Sequence, residues 1–337
     1  MSAVWDALLE PFAYEFFLKG VLAATLAGLL CGLLGVYITL RGMSYIGHGL
    51  SHAVFGGFAA SSVISLNYYI GAGVWGLASA LAINRVSRSR RIGSDAAIGV
   101  ITTASFALGV ALLTLYGNKG PSFDAALFGS IIGVADVDLW VMAGVTVLTL
   151  TVVLGRYRAL LFSTFDPEVA DVSGVRVART DALLMLVLSL AILSTLTIIG
   201  VTLVAATLVI PAVVARMLTD SFGRMLWISS LLGASGGFIG MNLSYHLNVP
   251  SGTTIVLVDA AVFCVVLMST GGRGMWRAAG LDQHNDTPPT VTPSKSTWRP
   301  LVVKTSLSAS ANPLVESVPT ARPQVRNDGQ DGSKDTR

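Results

Sequence analysis

The sequence predicts an all-α, polytopic membrane protein with about eight to nine transmembrane spans, and three observations carry that prediction. Apolar residues make up 53% of the chain and charged residues only 12%, whereas about a quarter of an average soluble domain is charged. Apolar runs of about 20 residues recur, the length that crosses a bilayer as a helix. The charges sit in short clusters between those runs, and the arginine clusters all fall on one side when the runs are counted as crossings. The net charge of +3 says little by comparison.

The first run covers residues 17–40, where Gly28, Gly32 and Gly35 give a small-residue face for helix packing. Arg41 ends it. Runs at 44–64 and 67–83 follow, then Arg85, Arg88, Arg90 and Arg91, which mark a cytoplasmic loop. A fourth run, 96–116, leads to a polar Gly-Pro loop at 117–121 on the far side. Residues 124–134 are apolar but too short to cross, so a half-helix or re-entrant piece held against protein is expected. Asp136 and Asp138 open a fifth run that ends near Leu154.

Arg156, Arg158, Arg176 and Arg179 place the longest inter-span loop in the cytoplasm. Runs at 182–199 and 201–217 are separated by Gly200, a tight external join. Arg216 and Arg224 bring the chain back, a run at 225–245 carries Gly233, Gly236, Gly237 and Gly240, and 246–252 form an external turn. The last run, 253–270, ends at Arg273 and Arg277. This arrangement gives about nine crossings, N-terminus outside and C-terminus inside. An eight-span version with a different first helix is the alternative.

Residues 1–280 form the transmembrane domain in this reading. From 281 to 337 Thr, Pro, Ser, Asn and Asp dominate and apolar periodicity is lost, which predicts a disordered cytoplasmic tail that includes His284. Cys31 and Cys264 fall inside apolar runs and are expected to be buried small hydrophobes, neither a disulfide nor a metal pair. Acidic Asp6, Glu10 and Glu15 stand where a cleavable signal peptide would be basic.

The second run holds the chemistry. His48 and His52 are four residues apart, so on a helix they lie on one face, one turn apart. That spacing suits two ligands of one metal ion, and ionisable groups at bilayer depth are usually functional. Spacing alone leaves two readings: a metal or proton role, or hydrogen-bonded packing residues. Small neighbours (Gly47, Gly49, Ser51, Ala53, Gly56, Gly57) let another backbone or a passing ion come close.

Other candidates are weaker. Asp259 lies well inside the last span, either paired structurally or guiding a cation. Pro211 removes a helical hydrogen bond and is either a pivot or a static kink. Asp124, Asp136 and Asp138 either attract cations at the outer mouth or are solvated loop carboxylates. His246 is either an external ligand or a surface residue. The loop 165–175 has the marks of a short helix: Asp166 as N-cap, Pro167 at the first helical position, Gly174 at the stop. Val169, Ala170 and Val172 give it an apolar side. It is either a connector on the membrane surface or a helix that docks a soluble subunit.

Taken together, residues 17–272 resemble the permease subunits of ATP-binding-cassette (ABC) importers for zinc, manganese and iron. The resemblance is carried by Met43-Ser44 through Gly57, by Asp95-Ala96-Ala97-Ile98-Gly99-Val100 continuing to Phe106-Ala107-Leu108-Gly109, by Asp166-Pro167-Glu168 through Ser173-Gly174-Val175, and by 200–212 followed by Ala215-Arg216. The turn Val249-Pro250-Ser251-Gly252-Thr253 also fits. It implies a type II-like importer fold in the bacterial cytoplasmic membrane, and a homodimer working with two cytoplasmic ABC ATPase subunits and an extracytoplasmic metal-binding lipoprotein or periplasmic protein. It also implies that the histidine helix lines the pathway, and that Asp166, Pro167, Glu168, Ser173 and Gly174 belong to the ATPase-coupling helix. The transported Zn, Mn or Fe is substrate, no cofactor is permanently bound, and no nucleic acid is involved.

Two departures stand out. The family usually has Asp where this chain has His48 and Pro where it has Gly56, whereas His52 matches directly. An imidazole at position 48 makes the site softer and neutral, which suits Zn, Fe or Ni better than Mn. The rivals are a proton-coupled secondary metal carrier, for which Asp259 is the strongest carboxylate, and an ABC permease for a metal chelate. An intramembrane metalloenzyme fits worse, because Gly49 stands where a zincin has its general-base Glu. The chain has no GxxxxGK[ST] phosphate loop, so ATP hydrolysis is expected from a partner and not from this subunit.

Overall fold

The computed structural model describes residues 10–64, 66–87, 94–116, 127–130 and 134–281. Among them there is no strand. A 3-10 turn at Glu10–Ala13 leads into α1 (Glu15–Leu40), α2 (Tyr45–Val63), α3 (Tyr68–Ser87), α4 (Ser94–Tyr116) and α5 (Asp136–Gly155). Two short helices follow, α6 (Tyr157–Phe165) and α7 (Pro167–Val172), then α8 (Val177–Ile199), α9 (Val204–Leu218), α10 (Phe222–Leu247) and α11 (Ser251–Leu281).

All nine expected runs are helical. Among the described residues six helices (α1, α4, α5, α8, α10 and α11) are long and apolar enough to cross a membrane, and α9 is a shorter apolar helix. α2 and α3 have 19 and 20 residues but carry Gly, Ser, His and Asn that dilute their apolar character. The count of crossings therefore stands as approximate. α11 runs on to Leu281, past the expected end at 270.

α1 and α8 are the most enclosed of the six, and α4 and α11 the most exposed. A helix that is apolar all round belongs inside, and α1 fits that description. Its glycine face works by letting main chains touch. A Cβ on Gly32 would fall 2.2 Å from the Ser229 carbonyl oxygen of α10, and one on Gly35 would fall 1.8 Å from that of Leu208 in α9. The Ser229 hydroxyl donates to the Gly32 carbonyl at 2.6 Å, fixing the same contact.

The two ends of the bundle are closed by polar ties. At one end Lys19 pairs with Glu15 at 2.7 Å and with Asp136 at 2.6 Å. Asp138 is a correction to the expectation of a solvated or cation-attracting carboxylate. It is buried, accepts the Ala135 N–H at 2.7 Å and receives the Tyr69 hydroxyl, so it caps α5 and ties it to α3. At the other end the Arg41 guanidinium binds α6 and α8. This is the end that carries the arginine-rich loop between α5 and α8.

The expected half-helix is described only at 127–130. Those residues lie against the α8–α9 join: Thr202 donates to the Leu127 carbonyl at 2.8 Å and Ser130 N–H to Thr197 at 3.2 Å. Gly129 sits at φ +78°, and a Cβ there would lie 2.0 Å from the Ile198 carbonyl oxygen, so both conformation and space demand glycine. Arg88, Arg90, Arg91, Asp124, the loop at 117–121 and the tail at 282–337 with His284 lie outside the described residues. Cys31 is buried as expected. Cys264 is exposed on α11, against expectation, and both thiols are free.

Candidate functional site

α2 is held by its small residues. A Cβ on Gly49 would meet Ile98 at 2.4 Å, one on Gly56 the Ser105 carbonyl oxygen at 2.4 Å, and one on Gly57 the Trp75 side chain at 2.4 Å. The helix is thereby wedged between α4 and α3, and Gly56 is where it rests on the main chain of α4. On its remaining side the Ser51 hydroxyl donates to the Val201 carbonyl at 2.8 Å, pinning α2 to the α8–α9 join. These contacts leave little freedom for the direction in which His48 and His52 project.

The two imidazoles lie together. Their ring centroids are 4.4 Å apart and their planes are nearly perpendicular. His52 is half-buried, its ring 4.6 Å from that of Phe106 on α4, and its Nδ1 is buried without a hydrogen-bond partner. His48 is exposed at the surface of the chain, as is Tyr45 one turn earlier. A metal ion at about 2.0–2.1 Å from each nitrogen needs the two nitrogens within about 4 Å of one another. A buried ring nitrogen with no partner is costly, and a bound ion removes the cost.

Among the described residues no third His, Cys, Asp or Glu joins the pair. Asp259 in particular is elsewhere. It is only 4% exposed, on α11, with Oδ2 unpartnered. Its carboxyl faces Gly236 of α10, where a Cβ would fall 2.1 Å from Oδ1. Asp259, Gly236 and Pro211 of α9 line one cavity of about 30 Å³. Pro211 is buried inside α9 and has no N–H, so the Thr207 carbonyl lacks its helical donor there. The structure thus brings Asp259 and Pro211 together, apart from the histidines.

α7 has the expected shape. Asp166 accepts the Val169 N–H at 2.9 Å as N-cap, and Pro167 opens the helix. Gly174 at φ +83° closes it: its N–H reaches the Asp171 carbonyl and the Val175 N–H the Ala170 carbonyl, each at 3.0 Å. Ala170 is turned inward. Val172 is 92% exposed and Val169 is exposed beside it. Glu168 and Ser173 are also exposed. Among the described residues nothing covers these two valines, and on so short a helix they form an apolar surface. His246 is exposed in the last turn of α10, its ring against Tyr245.

Three features of this region escaped the sequence reading: the ring contact of Phe106 with His52, the Ser51–Val201 tie, and the partners of Arg41. Each joins residues far apart in the chain. The residues flanking Arg41 mark only the end of an apolar run.

The sequence profile of the ABC 3 transport family matches residues 13–270. The manganese transport system membrane protein MntC of Halalkalibacterium halodurans is 37% identical over 281 residues, covering 82% of this chain and 95% of that protein. A probable iron transport system membrane protein of Haemophilus influenzae is 32% identical, covering 78% of this chain and 97% of that one. Among solved structures, PsaBC from Streptococcus pneumoniae in complex with Fab is similar with a TM-score of 0.71 and 32% identity, over 79% of this chain and 95% of that chain.

Proposed function

The chain belongs to the ABC 3 transport family, and from that premise we propose that it is the multi-pass membrane permease of a bacterial ABC importer that brings a divalent transition-metal ion into the cytoplasm. The observation that carries the proposal is the paired imidazoles of His48 and His52, 4.4 Å apart on one face of α2, with an unpartnered buried nitrogen between protein and surface.

The donor set argues for two copies. Two imidazoles leave a tetrahedral metal half-ligated, and no third donor of this chain stands beside them among the described residues. His48 is exposed, so the same pair from a second protomer completes four nitrogens around a shared central pathway. Neutral imidazoles without a thiolate bind weakly enough to let the ion go on, as a transit site must. The relatives are named for manganese and iron. Imidazole at position 48 adds zinc to the candidates and moves the preference from manganese toward iron and zinc. The metal is cargo, and the permease keeps no resident cofactor.

Energy comes from partners. The exposed Val169 and Val172 of α7, with Asp166, Pro167, Glu168, Ser173 and Gly174 fixing that helix, form the docking element for one ATPase subunit per protomer. An extracytoplasmic metal-binding protein delivers the ion at the end that carries the outer turn after α10. Pro211 and Asp259 form a gating element: the missing helical bond makes α9 compliant where a buried carboxyl faces the same cavity. Residues 1–280 form the transmembrane permease domain and 281–337 a cytoplasmic tail.

Metal uptake in cells carrying His48→Ala or His52→Ala, measured for Mn, Fe and Zn at equal membrane abundance, tests the assignment. Each variant is expected to lose at least the about 10–100-fold that removal of an outer-shell partner costs a metal site. Normal uptake by both would overturn it.

A further inference from the structure

Arg41 is the first residue after α1, and the four-residue link from it leads into α2, with His48 seven positions on. Each of its three guanidinium nitrogens donates a hydrogen bond. Nη1 donates to Asp181 Oδ1 at 2.7 Å, Nη2 to Ser163 Oγ at 2.9 Å, and Nε to Thr164 Oγ1 at 3.2 Å. Arg41 and Asp181 are both largely buried, so the pair is poorly screened by solvent. Ser163 and Thr164 stand in the last turn of α6, with only Phe165 between them and Asp166. Asp181 stands in the second turn of α8, after the docking helix. One side chain therefore holds both arms that flank α7.

The surroundings give this joint room to move. A cavity of about 230 Å³ lies beside it, walled by Met43 of the link, Ile46 in the first turn of α2, Ile98 of α4, and Pro167 of α7. Packed interiors pass strain on through contact, and an open space interrupts that route between Pro167 and the first turn of α2. A planar fork of five N–H donors keeps its geometry as a unit, so a displacement of either arm is carried to the chain at Arg41.

We propose that Arg41 is the positioning residue that couples α7 to the histidine helix, converting movement of the docked ATPase into movement of α2. The inference rests on the reading of α7 as the docking element. It assigns to Arg41 no contact with the metal.

The test uses the permease co-expressed with its cognate ATPase subunit and reconstituted into liposomes with the cognate binding protein. Manganese, iron and zinc uptake and ATP hydrolysis are measured on the same vesicles. Arg41→Gln is expected to co-purify with the ATPase and to hydrolyse ATP at the wild-type rate, while metal moved per ATP falls about tenfold, the effect of losing a typical coupling free energy. Arg41→Lys, which keeps the charge but not the fork, should recover part of the ratio. A merely structural role would lower both readouts together through loss of complex. An unchanged ratio in Arg41→Gln overturns the proposal. If that variant does not accumulate, Ser163→Ala with Thr164→Val leaves the ion pair intact and must still lower the ratio; no change there also overturns it. Val172→Glu separates the two readings. If the ATPase remains bound to it, the docking assignment fails. If the ATPase is lost while Arg41→Gln keeps its ratio, only the role of Arg41 fails.

Discussion

Gly28 of α1 and Gly233 of α10 meet main chain to main chain: a Cβ on Gly28 would fall 2.0 Å from the Gly233 carbonyl oxygen, and one on Gly233 would fall 2.1 Å from that of Gly28. No flexible side chain stands at this contact to give way. Gly28→Leu is expected to destabilise the protein by about 1–3 kcal/mol, the usual range for overpacking. A lower melting temperature in detergent checks it, and an unchanged one would mean the helices are not apposed there.

His48→Asp restores an oxygen donor beside the imidazole of His52. Harder ligands favour manganese, so uptake of manganese over zinc in a competition assay should rise, on the order of tenfold if the ligand shell follows the usual sensitivity of metal sites. Unaltered selectivity would show that position 48 does not touch the ion.

Asp166→Ala removes the N-cap of α7 and should cost about 1 kcal/mol of local helix stability. Where ATPase binding requires the helix to be formed, that cost weakens association by about fivefold. Titration of the ATPase against permease in nanodiscs measures it.

Gly236→Ala places a Cβ 2.1 Å from Asp259 Oδ1, so the carboxyl has to move. Asp259→Asn keeps the shape and removes the charge. Both are expected to reduce uptake, and Gly236→Ala alone to lower the melting temperature, by about 1–3 kcal/mol of stability. Full uptake by Asp259→Asn would remove Asp259 from the gating element.

The parts of this molecule that could be read in advance are those written within one or two helical turns. Gly28, Gly32 and Gly35 announced a close-packing face because small residues three or four apart in an apolar run mean little else. Asp166, Pro167 and Gly174 announced α7 because cap chemistry is local. His48 and His52 met as expected, since their spacing alone brings them to one face. Arg41 was different. Its partners are 122, 123 and 140 residues away, and nothing near it in the chain points to them. Asp138 was misread because no Ser or Thr stands at the cap before it; the carboxylate itself reaches back to the Ala135 N–H. α2 shows why apolar content is a poor guide to an enclosed helix: most of its residues pack against protein, and such a helix has no need to be greasy.

The exposure of Cys264 has a practical consequence. The chain has two cysteines, one sealed within α1 and one facing outward on α11, five positions beyond Asp259. A membrane-permeant maleimide should therefore tag the native sequence at a single place. A spin label or fluorophore attached there reports separations between two copies during a turnover cycle, with no engineered thiol.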